Sequence, residues 1–282
     1  MLFKKKQAVD RVVVQNAATT LFANIKFADV DNPIQTMVVT SSVPNEGKTT
    51  VTVNLAKAMA ASGARVLLVE CDMRRRSLAN ALGVHARNGL YAVLSDQVPL
   101  QHAVTATSTQ NLHFLDAEPG IPNPADIVSS KRFKRFAHEL KSVYDYVIFD
   151  TPPVGTFVDA AVLSASVDGA LLVVRDDFTK RSELLAAYEQ LSKAGGRIIG
   201  AVLNNCEVET SEYYYAYYTK DGKRVKNAGK APSLPTSSAS VPQTPRGHAD
   251  SARTAAAVRQ RSTKAAMPAA RGQAAPAKNR PR

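Results

Sequence analysis

Apolar positions recur three or four residues apart in "VVVQNAATTLFANIKF", where Val14, Ala18, Leu21 and Ile25 form one stripe and predict an amphipathic helix over residues 10–27. The pattern then shortens. "QTMVVTS" is a continuous apolar run rich in β-branched residues, which predicts a strand buried on both faces. After the polar stretch "SVPNEGKTT", "VTVNLAKAMAASG" returns to helical spacing, with Val51, Leu55, Ala58 and Met59 on one face and Gly63 at the C-terminal end. The same alternation continues through strands "RVLLVE", "NLHFL", "YDYVIFD", "GALLVV" and "RIIGAVLN". Helices are predicted near 78–107, in "DAAVLSASV" and in "KRSELLAAYEQLSKAG". Apolar strands separated by helices predict an α/β fold, a mostly parallel sheet covered on both faces, with no internal repeat.

Charge divides the chain differently. The formal net charge is +12 over 282 residues, yet residues 221–282 alone carry thirteen Lys/Arg against two Asp, a local net of +11. The basic balance therefore belongs to the tail, and no specific nucleic-acid partner is expected. That tail holds seven Pro and fifteen Ala, with no Ile, Phe, Tyr or Trp after Tyr218, and is expected to be disordered. Before it, "SEYYYAYYTK" gathers Tyr213, Tyr214, Tyr215, Tyr217 and Tyr218, five of the nine tyrosines. Lys4, Lys5 and Lys6 open the chain with no apolar stretch suited to a signal peptide or membrane span, so a cytoplasmic location is expected. Cys71 and Cys206 lie in or beside apolar runs and read as small packing residues, and the histidines show no metal-ligand spacing.

"SVPNEGKTT" follows a strand and opens a helix, the context of a phosphate-binding loop. Ser42, Pro44, Asn45, Glu46, Gly47, Lys48, Thr49 and Thr50 would then surround nucleotide phosphates. Their backbone amides and the helix N-terminus cradle the anion, Lys48 neutralises the β- and γ-phosphates, and Thr49 holds Mg²⁺. Ser42 stands where the usual pattern has its first glycine. Glu70 and Asp72 end one strand and Asp150 ends another, at the sheet edge where ligands of open α/β sheets collect. One or two carboxylates plus phosphate oxygens suit Mg²⁺.

These motifs, with "VLLVECDMRRRSL", "FDTPPVGTFVDA", "PNPADIVSS" and the tyrosine cluster in this order, resemble the cytoplasmic bacterial tyrosine kinases of capsule and exopolysaccharide assembly, the CpsD/CapB type, within the partitioning-type P-loop ATPases. The resemblance spans roughly residues 15–220. It implies an N-terminal segment over 1–34, a P-loop kinase domain over 35–210, a tyrosine cluster over 211–220 that is the autophosphorylation substrate, and the basic tail over 221–282. ATP and Mg²⁺ are the implied cofactors. Asp72 and Asp150 would complete the metal shell, Glu70 would be the general base, Arg74, matching the arginine of the acidic motif, would bind the nucleotide, and Asn204 would contact the base of the nucleotide. The implied partners are a membrane adaptor of the polysaccharide co-polymerase type acting in trans, which recruits the kinase to the inner face of the membrane, and a tyrosine phosphatase.

Three departures from the family pattern stand out. Glu70 replaces an aspartate, and Asn45 replaces a common glycine at a point where asparagine tolerates left-handed backbone. Asn16, Thr19 and Phe22 replace a Glu and two Arg that join subunits into a ring. A homo-oligomer is therefore expected to use an altered N-terminal interface, with an apolar contact through Phe22 as one route. Two other readings stay open: a partitioning-type ATPase switch, although the additional lysine near the start of the loop is missing, and a nucleotide-binding regulator in which Glu70 has weakened transfer. Arg74, Arg75 and Arg76 read equally as a solvated run or as contacts to phosphate, activator or acidic peptide. The tail reads as a soluble linker or as a contact to anionic lipid. Five phosphotyrosines would add about −7.5 to −10 charges, close to cancelling its charge.

Overall fold

The computed structural model describes residues 2–29 and 31–206, with side chains from residue 11 onward. Its chain order is α1 (Leu2–Phe27), β1 (Thr36–Ser41), α2 (Lys48–Ala61), β2 (Val66–Glu70), α3 (Leu78–Leu82), α4 (Leu90–Leu94), α5 (Leu100–Ala103), β3 (Thr105–Ala106), β4 (Leu112–Leu115), α6 (Pro124–Ser129), α7 (Lys131–Leu140), β5 (Tyr146–Asp150), α8 (Asp159–Ser164), β6 (Gly169–Arg175), α9 (Arg181–Lys193) and β7 (Ile198–Asn204). The seven strands form one sheet in the order β3-β4-β2-β5-β1-β6-β7. All neighbours are parallel except β3, which pairs antiparallel with β4 at the edge.

Side chains alternate along each strand, so an apolar strand feeds two cores. On β1, Met37 and Val39 join Phe22, Leu55, Met59, Phe114 and Ile148 on the face covered by α1 and α2. Val38 points the other way and joins Leu67, Phe133, Phe149, Leu172 and Leu191 on the second face. α7 seats Phe133, Phe136 and Leu140 there and keeps Lys131, Arg132, Lys134 and Arg135 exposed. Its Ser130 side chain accepts from the amide of Phe133 and caps the helix start.

α1 is longer than the periodicity predicts, and one anchor differs. Val14 is 46% exposed, whereas Ala18, Phe22 and Ile25 are buried. Phe22 meets the Tyr146 ring edge-on with centroids 5.3 Å apart. The ring contact expected of Phe22 is thereby corrected, because that side chain is spent inside its own chain.

Two polar bolts fix the ends of the sheet away from the phosphate loop. Asp168 Oδ2 accepts from the Thr36 amide at 2.8 Å, the Gln35 amide at 3.1 Å and the Thr36 hydroxyl at 2.9 Å. Its Oδ1 meets Lys141 Nζ at 2.5 Å. Burial opposes charge on this carboxyl, but the donors from Lys141, Thr36 and Gln35 outweigh it and hold Asp168 below the ordinary carboxylate range. Arg197 likewise ties the β7 side to Asp29 at 2.9 Å.

Candidate active site

Buried charge gathers where the parallel strands end. Glu46, Lys48, Glu70, Asp72, Asp116, Asp150 and Asp159 are all under 9% exposed, and each lies at or just beyond a strand terminus or helix start on that edge. Register explains the closest pair. Glu70 and Asp150 are opposite one another on the parallel strands β2 and β5, so their carboxyl groups leave the sheet side by side.

Asp150 is the hub. Its Oδ1 accepts from Lys48 Nζ at 2.9 Å and from the Thr52 hydroxyl at 3.2 Å, and its Oδ2 accepts from the Thr49 hydroxyl at 2.9 Å. The first five residues of α2 thus deliver three side chains to one carboxylate. Thr49 also touches the Ser77 hydroxyl at 2.8 Å, which links the loop to the segment after β2.

The loop itself is shaped to hold an anion. Asn45 and Gly47 take positive φ values of 68° and 86°, the left-handed backbone by which loops make anion-binding concavities. A Cβ on Gly47 would fall 2.0 Å from Asn204 Nδ2, so side chains are excluded there. Ser42 Oγ is buried and has no hydrogen-bond partner, an orphan polar atom at the base of the loop. Thr49, Asp72 and Asp150 offer hard oxygen donors, and no cluster of three or more His, Cys, Asp or Glu close enough to hold a metal occurs among the described residues. That inventory fits an ion that takes one or two carboxylates and completes its shell with phosphate and water.

Two other residues expected to touch nucleotide, Glu46 and Asn204, also shape the loop. Glu46 is 1% exposed, accepts from the Val43 amide at 2.8 Å and is bonded by the Thr179 hydroxyl. Asn204 Nδ2 donates to the Glu46 carbonyl at 2.8 Å. Pro44 and Thr50 are exposed beside it. A cavity of about 780 Å³ opens next to the loop, lined by Leu21 of α1, Gly47, Thr50, Arg175, Asn204 and Cys206. Its size and mixed lining suit a small organic ligand.

Glu70 does not fit the base role expected of it. The side chain is fully buried, its Oε1 accepts from the Asp72 amide at 3.1 Å, and its Oε2 accepts from the Ser77 and Leu78 amides at 2.8 and 3.0 Å. Both oxygens are spent on holding the acidic loop. Burial first, then the charge of Asp150, push its carboxyl up to about 8, while the Leu78 and Ser77 amides and Lys48 pull the other way. Asp72 is 6% exposed, and burial raises it as well. Burial also raises the Cys71 thiol, which makes it an unreactive packing residue.

The three arginines after the acidic motif part company. Arg74 Nη1 bonds Asp159 at 2.7 Å and its guanidinium lies 4.1 Å from the Phe157 ring centroid. Arg75 Nη1 donates to Asn45 Oδ1 at 3.1 Å, and Arg76 Nη1 donates to the Ala117 carbonyl at 2.7 Å beside Asp116. Each reaches a different neighbouring segment, so the run is a set of ties across the sheet edge.

Sequence reasoning missed Gly155, Arg175 and Thr179. A Cβ on Gly155 would meet the Ser42 carbonyl at 2.3 Å, so the segment after β5 presses its backbone against the loop. A glycine two residues after "TPP" and an arginine ending an apolar strand were the available signals. Tyr213, Tyr214, Tyr215, Tyr217, Tyr218 and the tail lie outside the described residues. Among the described residues no helix is long and apolar enough to cross a membrane.

Comparison with known proteins identifies the family. The family model described as an AAA domain matches residues 35–179. Tyrosine-protein kinase YwqD of Bacillus subtilis is 36% identical over 202 residues, covering 72% of this chain and 85% of the relative. The crystal structure of the chimerical protein CapA2B2 superposes with a TM-score of 0.65 at 31% identity, over 68% of this chain and 84% of that one. The septum site-determining protein MinD of Pyrococcus horikoshii, complexed with Mg-ADP, gives 0.52 at 28% identity, over 60% and 69%. With a phosphate loop, paired acidic strand ends and this extent of likeness, the chain belongs to the CpsD/CapB family of bacterial tyrosine kinases, built on a P-loop nucleotide-binding fold.

Proposed function

We propose that the protein is an ATP- and Mg²⁺-dependent protein-tyrosine kinase that phosphorylates its own cluster, Tyr213, Tyr214, Tyr215, Tyr217 and Tyr218, and so regulates assembly or export of a capsular or extracellular polysaccharide. The observation that carries this reading is the meeting of Lys48, Thr49 and Asp150 at 2.9 Å on one sheet edge, in a chain related to tyrosine kinases. Lys48 exchanges Asp150 for the β- and γ-phosphates, the loop amides cradle them, and Thr49, Asp72 and Asp150 hold Mg²⁺. Bound there, the ion would neutralise charge that develops on the transferred phosphoryl group. The phenolic oxygen attacks the γ-phosphorus, the bond from that phosphorus to the ADP oxygen breaks, and the phenolic proton passes to solvent water. Because such transfer passes through a loose transition state, positioning and charge dominate. A Glu70 that braces the Asp72 loop suits this chemistry better than a Glu70 that takes the proton.

The protein works in the cytoplasm, recruited to the inner face of the membrane by an adaptor in trans of the polysaccharide co-polymerase type, and a tyrosine phosphatase reverses its product. Self-association uses an N-terminal interface other than the charged one of the family. The basic tail contacts anionic lipid, and phosphorylation weakens that contact. The test is incubation with Mg-ATP followed by phosphotyrosine detection, with and without the adaptor's cytoplasmic tail. The reading requires labelling that the adaptor increases and that Lys48→Met abolishes. Absence of label in both conditions contradicts it. A second reading, a switch ATPase, is favoured by the likeness to MinD with Mg-ADP; it requires ATP hydrolysis with no tyrosine label.

A further inference from the structure

Four arginines border the phosphate edge, and they are held in two different ways. Arg74 and Arg76 are paired with the carboxylates of Asp159 and Asp116. Arg75 and Arg175 are not paired with any carboxylate among the described residues. Both instead rest on the same residue at the apex of the loop. Arg75, exposed in the turn after β2, donates to Asn45 Oδ1 at 3.1 Å, and Arg175, half-buried at the end of β6, donates to the Asn45 carbonyl at 3.4 Å. Arg175 also lies 4.9 Å from the Phe178 ring centroid and lines the 780 Å³ cavity beside Gly47, Thr50 and Asn204.

Neutral oxygens are weak holders of a guanidinium. A phosphate adds the attraction of opposite charges that an amide or carbonyl oxygen lacks, and guanidinium matches phosphate with two parallel donors. A phosphate placed in the loop therefore competes well for Arg75 and Arg175. It competes poorly for Arg74 and Arg76, whose carboxylates would be left unpaired, Asp159 at zero exposure. The loop sequence "SSVPNEGKT" supplies a single lysine, so its cationic complement to a triphosphate is otherwise small.

We propose that Arg75 and Arg175 are nucleotide-contacting residues, two guanidiniums that leave Asn45 and close on the phosphate tail from opposite sides of the loop. Arg75, on the loop that carries Asp72, meets the γ-phosphate end. Arg175, on the cavity side, meets the tail nearer the ribose. This rests on the nucleotide reading of the site and adds residues that the phosphate-loop pattern does not contain.

The test measures calorimetric affinities of the full chain for Mg-ADP and for Mg with a non-hydrolysable ATP analogue, together with the melting temperature without nucleotide. Arg75→Ala is expected to weaken the ATP analogue about 10-fold and ADP less than about 3-fold. Arg175→Ala is expected to weaken both about 10-fold. Arg→Lys at either position recovers only part of the loss, since the charge returns without the two parallel donors, and melting temperatures without nucleotide stay close to that of the parent. Unchanged affinities overturn the proposal. So does a loss of affinity that only follows a fall in melting temperature, since the arginines would then be braces of Asn45. A parent protein that binds neither nucleotide overturns the proposal together with the site. One that binds both but never labels tyrosine overturns the proposed function alone.

Discussion

Glu70 illustrates how one methylene changes a residue's task. A carboxylate was legible at the end of "VLLVE", but its reach was not: the longer side chain folds back to the Asp72, Ser77 and Leu78 amides. Glu70→Asp cannot span all three. Its expected cost is about 1–3 kcal/mol in chemical denaturation, from buried amides left without acceptors, with no gain in labelling rate. A more active and equally stable variant would return Glu70 to the base role. Asp168 was not legible as special at all, because its partners Thr36 and Lys141 are 132 and 27 residues away. Its lowered pKa sets a sign. The folded state binds this proton less tightly than the unfolded chain, so Asp168 stabilises fully above the ordinary carboxylate value and loses that contribution as pH falls through the lower folded value. Asp168→Asn should therefore cost about 1.5–3 kcal/mol at pH 7, with the gap to the parent narrowing in acid. Denaturation curves at pH 7 and in acid check it, and a gap independent of pH contradicts it.

At the scale of elements, the buried strands were the most legible because each is a short continuous apolar run, and β1, β2, β4, β5, β6 and β7 fall where the pattern places them. β3 has two residues, too few for a period. α7 was not assigned, although Phe133, Phe136 and Leu140 carry helical spacing, since "KRFKRF" is dominated by charge. α1 was found, but its inward face was turned: periodicity included Val14 and left Phe22 free for a partner, whereas Phe22 packs on Tyr146. A hydrophobic stripe shows which residues share a face, not which of its borders meets the core. Phe22→Ala should destabilise by about 3–5 kcal/mol in urea unfolding. A loss confined to self-association, with unfolding unchanged, would restore Phe22 as an interface residue.

For the molecule as a whole, the phosphate loop and its acidic strand ends were legible because each is local in sequence and the parallel topology gathers strand ends at one edge. The second set of ties was not. Gly155 against Ser42, Thr179 against Glu46, and Arg75 and Arg175 against Asn45 join segments whose pairing only the fold creates. The same edge geometry serves hydrolysis in a switch protein and transfer in a kinase, and the two differ in where the γ-phosphate goes. The most direct measurement follows γ-labelled ATP with Mg²⁺ in one reaction and counts label on tyrosine, mapped by mass spectrometry, against label released as inorganic phosphate. The account predicts label on Tyr213, Tyr214, Tyr215, Tyr217 or Tyr218, lost in Lys48→Met. Steady release of inorganic phosphate with no label on tyrosine would contradict it.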